Sequence, residues 1–217
     1  MDADAGAHYR VGRLKLTALL ADQPAAAWDE DVPACPGWTV RGTVSHLLGN
    51  IEDGMAGKLT GPPTDEQVAD QIGRHADGPA AALLDAWADA AEPFEPIVSQ
   101  ASIWVVVMDV LTHTQDIRGA LGLPGDRDDD DALLMARMLT GTELPVQLTF
   151  DVGAEQLSTP PVDGPTHTVA TSPFEVARIR FGRRSPEQVL AMDWQPALPT
   201  IPAGLFIFGP RTTPLEE

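Results

Sequence analysis

Asp109 and His113 are the residues whose types and spacing first suggest chemistry. On an α-helix a four-residue spacing puts both side chains on one face, and Asp116 continues that stripe. They lie in VSQASIWVVVMDVLTHTQDIRGALG, whose first half runs Ile103, Trp104, Val105, Val106, Val107 without a charge. Such a helix is expected to be buried nearly all round, where an unpaired carboxylate is costly. A metal ion shared with a second imidazole would compensate for it, and so would a carboxylate–histidine hydrogen bond. His46, beside Leu47 and Leu48 in another apolar pattern, is the candidate second imidazole. Two imidazoles and a carboxylate with a fourth position open make a catalytic rather than a structural zinc site, and a helix bundle can bring such faces together. The spacing alone leaves metal binding and satisfied core histidines both open.

These residues need helices to carry them. Val11, Leu14, Leu16, Leu19 and Leu20 predict an amphipathic helix over 7–22, ended by Pro24. Thr39 is placed as the N-cap of the helix bearing His46, whose apolar stripe is Val40, Val44, Leu47, Leu48 and Ile51. GPPTDEQVADQIGRHADGP reads as a mixed connection holding a short helical segment. Residues 79–91 have helical propensity, with Pro93 and Pro96 separating them from the central helix. A further helix over 130–139 follows the acidic run DRDDDD, which complements a helix N-terminus and lacks the Gly and terminal Glu of a calcium loop. Beyond Pro145, VQLTFDV and THTVAT read as strands. SPFEVARIRFGRRSPEQVLAMDW reads as a helix capped by Ser172 with Pro173 at its first position, broken at Gly182 and restarted at Ser185 and Pro186. His8, His75 and His167 are assigned to ordinary surface or turn positions.

Composition bounds the function. With 217 residues, 43% of them hydrophobic, the chain can bury one large core or two small ones. Its 14 basic and 32 acidic residues give a net charge of −18, which argues against nucleic acid and anionic membranes as partners. Residues 1–144 hold 9 Lys/Arg and 24 Asp/Glu, whereas residues 145–217 hold 5 and 8, and this asymmetry suggests one domain on each side. Cys35 is the only cysteine, so an intrachain disulfide is excluded. The opening MDADAGAHYR lacks the basic and apolar regions of a secretory leader, and no apolar run approaches the roughly 20 residues of a membrane span. A cytoplasmic protein is the expectation.

Particular words then carry a resemblance. VPACPGWTVRGTVSHLLGNIEDGM resembles the Cys-Pro-Gly-Trp opening and following His-Leu of the mycothiol-dependent maleylpyruvate isomerase family, within the DinB-like metal-binding superfamily. DVLTHTQDIRGALGLP looks like that family's second metal segment, and PFEVARIRFGRRSPEQVLAMDW is similar to its C-terminal portion. The resemblance implies an up-and-down DinB-like four-helix bundle over 1–144 holding a divalent metal, usually zinc. A small α+β domain similar to sterol-carrier folds would follow over 145–217. It also implies mycothiol, a low-molecular-weight thiol of actinobacteria, as cofactor, with a small electrophilic substrate isomerised or thiolated. Carried over by position, the metal ligands are His46, Asp109 and His113; the family pattern has Glu where this chain has the shorter Asp109, so the ion would sit closer to that helix or keep a water.

The chemistry implied is thiolate activation, since a metal holds a coordinated thiol deprotonated at neutral pH. Cys35, in a turn before Pro36, reads as a buried structural cysteine rather than a nucleophile. Asp116 could receive a hydrogen bond from a ligand imidazole and fix its tautomer, or pair with Arg118. An anionic substrate in so acidic a protein calls for cations. Arg183 and Arg184 beside Gly182 are the catalytic candidates and Arg178 and Arg41 the substrate-binding ones, each against a reading as a solvated helix-end charge. Trp38 is expected to staple its loop to the bundle. Isomerisation, thiol S-transfer and a non-catalytic module that sequesters metal or a small molecule remain open; the complete ligand set together with Gly182-Arg183-Arg184 favours an enzyme.

Overall fold

The computed structural model describes residues 4–217. The chain divides between Leu123 and Pro124 into two compact units. The first holds α1 (Ala5–Ala21), a 3-10 turn (Ala25–Asp29), α2 (Val40–Met55), α3 (Asp65–Arg74), α4 (Ala80–Ala101) and α5 (Trp104–Leu121). α1 packs on α4 and α5, and α2 packs on α3, α4 and α5. Asp4, Thr39 and Thr64 cap α1, α2 and α3 by accepting backbone N–H groups, which is why each helix starts where it does.

Three features depart from the sequence expectations, each for a physical reason. The buried face of α1 is Tyr9, Gly12, Arg13, Leu16 and Leu20, while Val11 and Leu14 are exposed. Glu95 of α4 sets this register, because its buried carboxylate accepts from Arg13 at 2.9 Å and Arg10 at 2.5 Å. α4 continues through Pro93 and Pro96 instead of breaking there. The carbonyls those prolines leave without an N–H partner belong to Asp89 and Glu92, both exposed, so water can serve them while Phe94 and Val98 stay in the core. The chain turns instead at Ser102, in the left-handed region at φ 52°. Finally, α5 is not buried all round at its apolar start, since Val105 is 57% exposed. Its fully buried stretch is 110–117, which carries the polar residues.

The second unit contains α6 (Asp130–Thr140), β1 (Gln147–Asp151), β2 (Gln156–Ser158), β3 (Thr166–Ala170), α7 (Pro173–Arg180) and α8 (Pro186–Leu190). The sheet order is β2-β1-β3, with β1 antiparallel to β2 and parallel to β3. Leu148 and Phe150 of β1, Leu157, Val169, Val176, Ile179 and Trp194 share one core with Ala136 of α6. Ser172 and Ser185 cap α7 and α8 with Pro173 and Pro186 next in line. Gly182 between them lies at φ 73°, where a Cβ would stand 1.9 Å from the Gly209 carbonyl oxygen, so no other residue fits.

The boundary expected at 144 therefore falls at 123 in the structure, because α6 packs on α7 and feeds its apolar face into the sheet core. That transfer also dissolves the charge asymmetry. Residues 1–123 carry 7 Lys/Arg against 18 Asp/Glu and residues 124–217 carry 7 against 14, since the acidic run at the start of α6 belongs to the second unit. Among the described residues no helix is long and apolar enough to cross a membrane.

The buried pairing at Glu95 yields a stability test. Glu95→Gln leaves Arg13, whose side chain is 10% exposed, without its carboxylate. Loss of one partner of a buried pair costs about 3 kcal/mol, so urea unfolding of this variant should show a drop of that order; no change would mean the pair is silent.

Candidate metal centre

The residues Cys35-Pro36-Gly37-Trp38 form a tight turn that closes on the site. Trp38 N–H donates to the Cys35 carbonyl at 3.0 Å and Gly37 sits at φ 85°, the signature of a type II turn with Pro and Gly at its centre. An isolated bridge between Asp31 and Thr39 ties the loop's two ends, immediately before α2 begins. The consequence is that both Cys35 and Trp38 face α5. Trp38 lies 4.9 Å from the His46 ring and stacks at 5.4 Å and 25° on the His113 ring, so it walls the site as well as holding its loop.

α2 and α5 bring His46, Asp109 and His113 together, with one donor atom from each lying within 4.8 Å of the others. Nε2 of His46 is 3.8 Å from one Asp109 carboxylate oxygen and Nε2 of His113 is 3.5 Å from the other. Asp109 is the most open of the three, with its side chain 26% exposed against 6% and 8% for the imidazoles. Burial works against its charge, but the neighbouring imidazoles of His46 and His113, with an N–H from Asn50 at 2.9 Å, outweigh it and hold the carboxyl below its ordinary range. An anionic carboxylate between two imidazole nitrogens is a donor set suited to a divalent ion such as zinc.

The outer nitrogens of both rings are engaged. Nδ1 of His113 lies 3.0 Å from Asp116, whose side chain is fully buried, and Cys35 Sγ donates to that same carboxylate at 3.3 Å. With its Nδ1 proton on Asp116, His113 presents the Nε2 lone pair to Asp109 and His46. Cys35, His113 and Asp116 also form a second convergent group, but a neutral imidazole has one lone pair to offer. Nδ1 of His46 lies 2.9 Å from Gln71 Oε1 on α3. Gln71 and Asn50 had no signal of their own in the sequence, since each is one amide in a helix and its role comes from packing. The proximity of Cys35 to His113 was equally hidden, although the Cys-Pro-Gly-Trp turn that creates it was legible.

Arg178, Arg183 and Arg184 belong to the second unit and Arg41 to the first. Arg184 is bound by Glu175 at 2.6 Å and by Glu217 at 3.0 Å, and Arg178 donates to Glu217 at 2.9 Å, all within the second unit. Both guanidinium groups are buried, not solvated helix-end charges, and both lie near the Phe174 ring, at 5.4 and 5.9 Å. Arg183 donates to the Phe181 carbonyl at 3.2 Å. Arg41 lies over the Trp28 ring at 5.7 Å. His167, in the second unit, is buried at the Pro196 carbonyl, and His75 meets Glu52.

A helical unit with an imidazole–carboxylate–imidazole cluster, followed by a three-stranded α+β unit, defines the class to which the chain must be compared. The model of the mycothiol maleylpyruvate isomerase N-terminal domain matches residues 10–118, which span every residue of the cluster, and the chain belongs to the mycothiol-dependent maleylpyruvate isomerase family. A crystal structure of a histidine-to-alanine mutant of the mycothiol-dependent maleylpyruvate isomerase is similar in fold at a TM-score of 0.57 and 15% identity, over 84% of this chain and 90% of that one. A second structure of that isomerase gives 0.53 and 13% over the same shares. No curated protein matches the chain significantly.

Asp53, behind Gln71, supplies a pH test. Burial raises its carboxyl, but N–H groups of Gln71, Lys58 and Arg74 outweigh that and hold it below the ordinary value. A depressed folded-state value means that its stabilisation is complete above the unfolded carboxyl value, about 3.9, and is lost as pH falls through the folded one. Urea unfolding across acid pH should therefore show a shallower acid decline for Asp53→Asn than for the wild type. Parallel curves would show that Asp53 adds nothing to the acid dependence.

Proposed function

We propose that this protein is a metal- and mycothiol-dependent enzyme acting on a small electrophilic substrate, by cis–trans isomerisation of the maleylpyruvate type or by thiol transfer. The observation that carries the reading is the convergence of His46, Asp109 and His113 from two helices, each imidazole held at its outer nitrogen. The first unit is, in this proposal, a DinB-like four-helix bundle made of α1, α2, α4 and α5, and the second resembles a sterol-carrier fold. The ion is zinc, because two neutral nitrogens and one carboxylate suit a borderline-soft cation better than calcium or magnesium.

A divalent ion held by His46, Asp109 and His113 would supply a lowered thiol pKa, the chemistry that a mycothiol-dependent reaction needs at neutral pH. The residues of the chain provide the rest. His46 and His113 would contribute neutral lone pairs and Asp109 one negative charge, a donor set that would leave a divalent ion with net positive charge. Trp38 closes one side of both rings and limits water there, and Asp116 keeps the proton on His113 Nδ1. For an anionic substrate the proposed partners are Arg183 and Arg184, with Arg178 and Arg41 behind them. Glu217 on Arg178 and Arg184 supports carboxylate recognition by this pair in kind, and a substrate carboxylate would have to displace it.

A thiol titration tests the proposal. The wild type should hold one divalent ion per chain and bind mycothiol, while His113→Ala should lose both together, as elemental analysis and calorimetry would read. Equal mycothiol binding by the variant would remove metal-bound thiolate from the mechanism.

A further inference from the structure

Gln71 is fully buried on α3, and its amide has a defined direction. Its Nε2 donates to Asp53 at 2.9 Å, and a carboxylate can only accept. The other end, Oε1, must then face His46 Nδ1, 2.9 Å away, which obliges Nδ1 to carry the proton. The opposite side of the ring agrees independently. Asn50 Nδ2, a donor only, lies 3.2 Å from His46 Nε2, so Nε2 has to be the accepting lone pair. Asp53 is itself anchored by Arg74 at 3.0 Å and Lys58 at 3.2 Å, and cannot turn away. Backbone packing holds the relay in place. Ser45 donates to the Gln71 carbonyl at 2.5 Å, and Gly49 leaves room for the glutamine, since a Cβ there would stand 2.6 Å from Gln71 Cγ.

We propose that Gln71, aimed by Asp53, is a positioning residue that fixes His46 in its Nδ1-protonated tautomer and so presents the Nε2 lone pair to the divalent ion. α3 is thereby part of the metal centre although it contributes no ligand. His113 reaches the same end through a carboxylate, Asp116; His46 uses an amide steered by a carboxylate one step further out. The outer nitrogen of His46 thus meets a neutral amide oxygen and that of His113 a carboxylate, so the two rings are oriented by partners of different charge. The inference rests on the reading of His46 as a ligand given above.

Two readouts on the full chain test it: zinc affinity by competition with a chromophoric chelator, and the tautomer of His46 by nitrogen NMR of the protein without added zinc. Gln71→Met keeps the volume and removes both hydrogen bonds, and it should weaken zinc binding by about 10- to 100-fold, the usual effect of losing an orienting partner. In the same variant the His46 ring should change from a single Nδ1–H form to a mixture. Asp53→Asn removes the steering charge and should give the same mixture with a smaller affinity loss, which decides the matter if Gln71→Met does not fold. Wild-type affinity and a single tautomer in the folded variants would overturn the relay. His46→Ala separates the two levels of the argument: if it binds zinc as tightly as wild type, the ligand reading itself has failed, whereas lost binding beside unaffected Gln71→Met and Asp53→Asn condemns the relay alone.

Discussion

The constraint on which the first unit depends is the burial of polar side chains on α5. From Val110 to Ile117 every residue is buried, and five of the eight are Thr112, His113, Thr114, Gln115 and Asp116. Each must find a partner or forfeit its hydration at a cost of about 1–3 kcal/mol. Thr114 returns to the Val110 carbonyl at 2.7 Å, and Asp116 takes both His113 and Cys35. The Cys-Pro-Gly-Trp turn and α2 pack against this helix, and α3 packs on α2 behind His46. What remains is a set of nitrogen lone pairs directed at Asp109, whose side chain is partly open to solvent beside the buried imidazoles.

Electrostatics in this acidic chain follow the same logic of local pairing. A net charge of −18 does not prevent buried carboxylates, because each is answered within its own unit. Glu95 meets Arg10 and Arg13; Asp53 meets Arg74 and Lys58; Glu217 meets Arg178 and Arg184. Arg180 is the contrasting case, buried among the carbonyls of Leu139, Gly204 and Leu205, with burial lowering its affinity for the proton. These pairs do not supply net stability so much as a fixed arrangement, since removing one member leaves the other stranded.

Local signals were readable and tertiary ones were not. Thr39, Ser172 and Ser185 announce their helices because a cap is a contact between residues three positions apart. The Asp109–His113 spacing was readable for the same reason. The continuation of α4 through two prolines depended on which side of the helix faced water, and the register of α1 depended on Glu95, far along the chain. The sequence places α6 beside the first unit's helices, whereas its packing partner α7 follows only after three strands. Gln71 is the sharpest case: in a polar stretch one glutamine has no period or motif, and it acquires a role only when Gly49 lets α3 close on α2.

The central claim is that His46, Asp109 and His113 share one divalent ion. Anomalous diffraction from a crystal grown with stoichiometric zinc tests it most directly. The account predicts a single strong peak about 2.0–2.2 Å from His46 Nε2, His113 Nε2 and an Asp109 carboxylate oxygen, with Gln71 and Asp116 still on the outer nitrogens. A peak at Cys35 and Asp116 instead, or zinc bound only at surface carboxylates while the three side chains remain without it, would contradict the account.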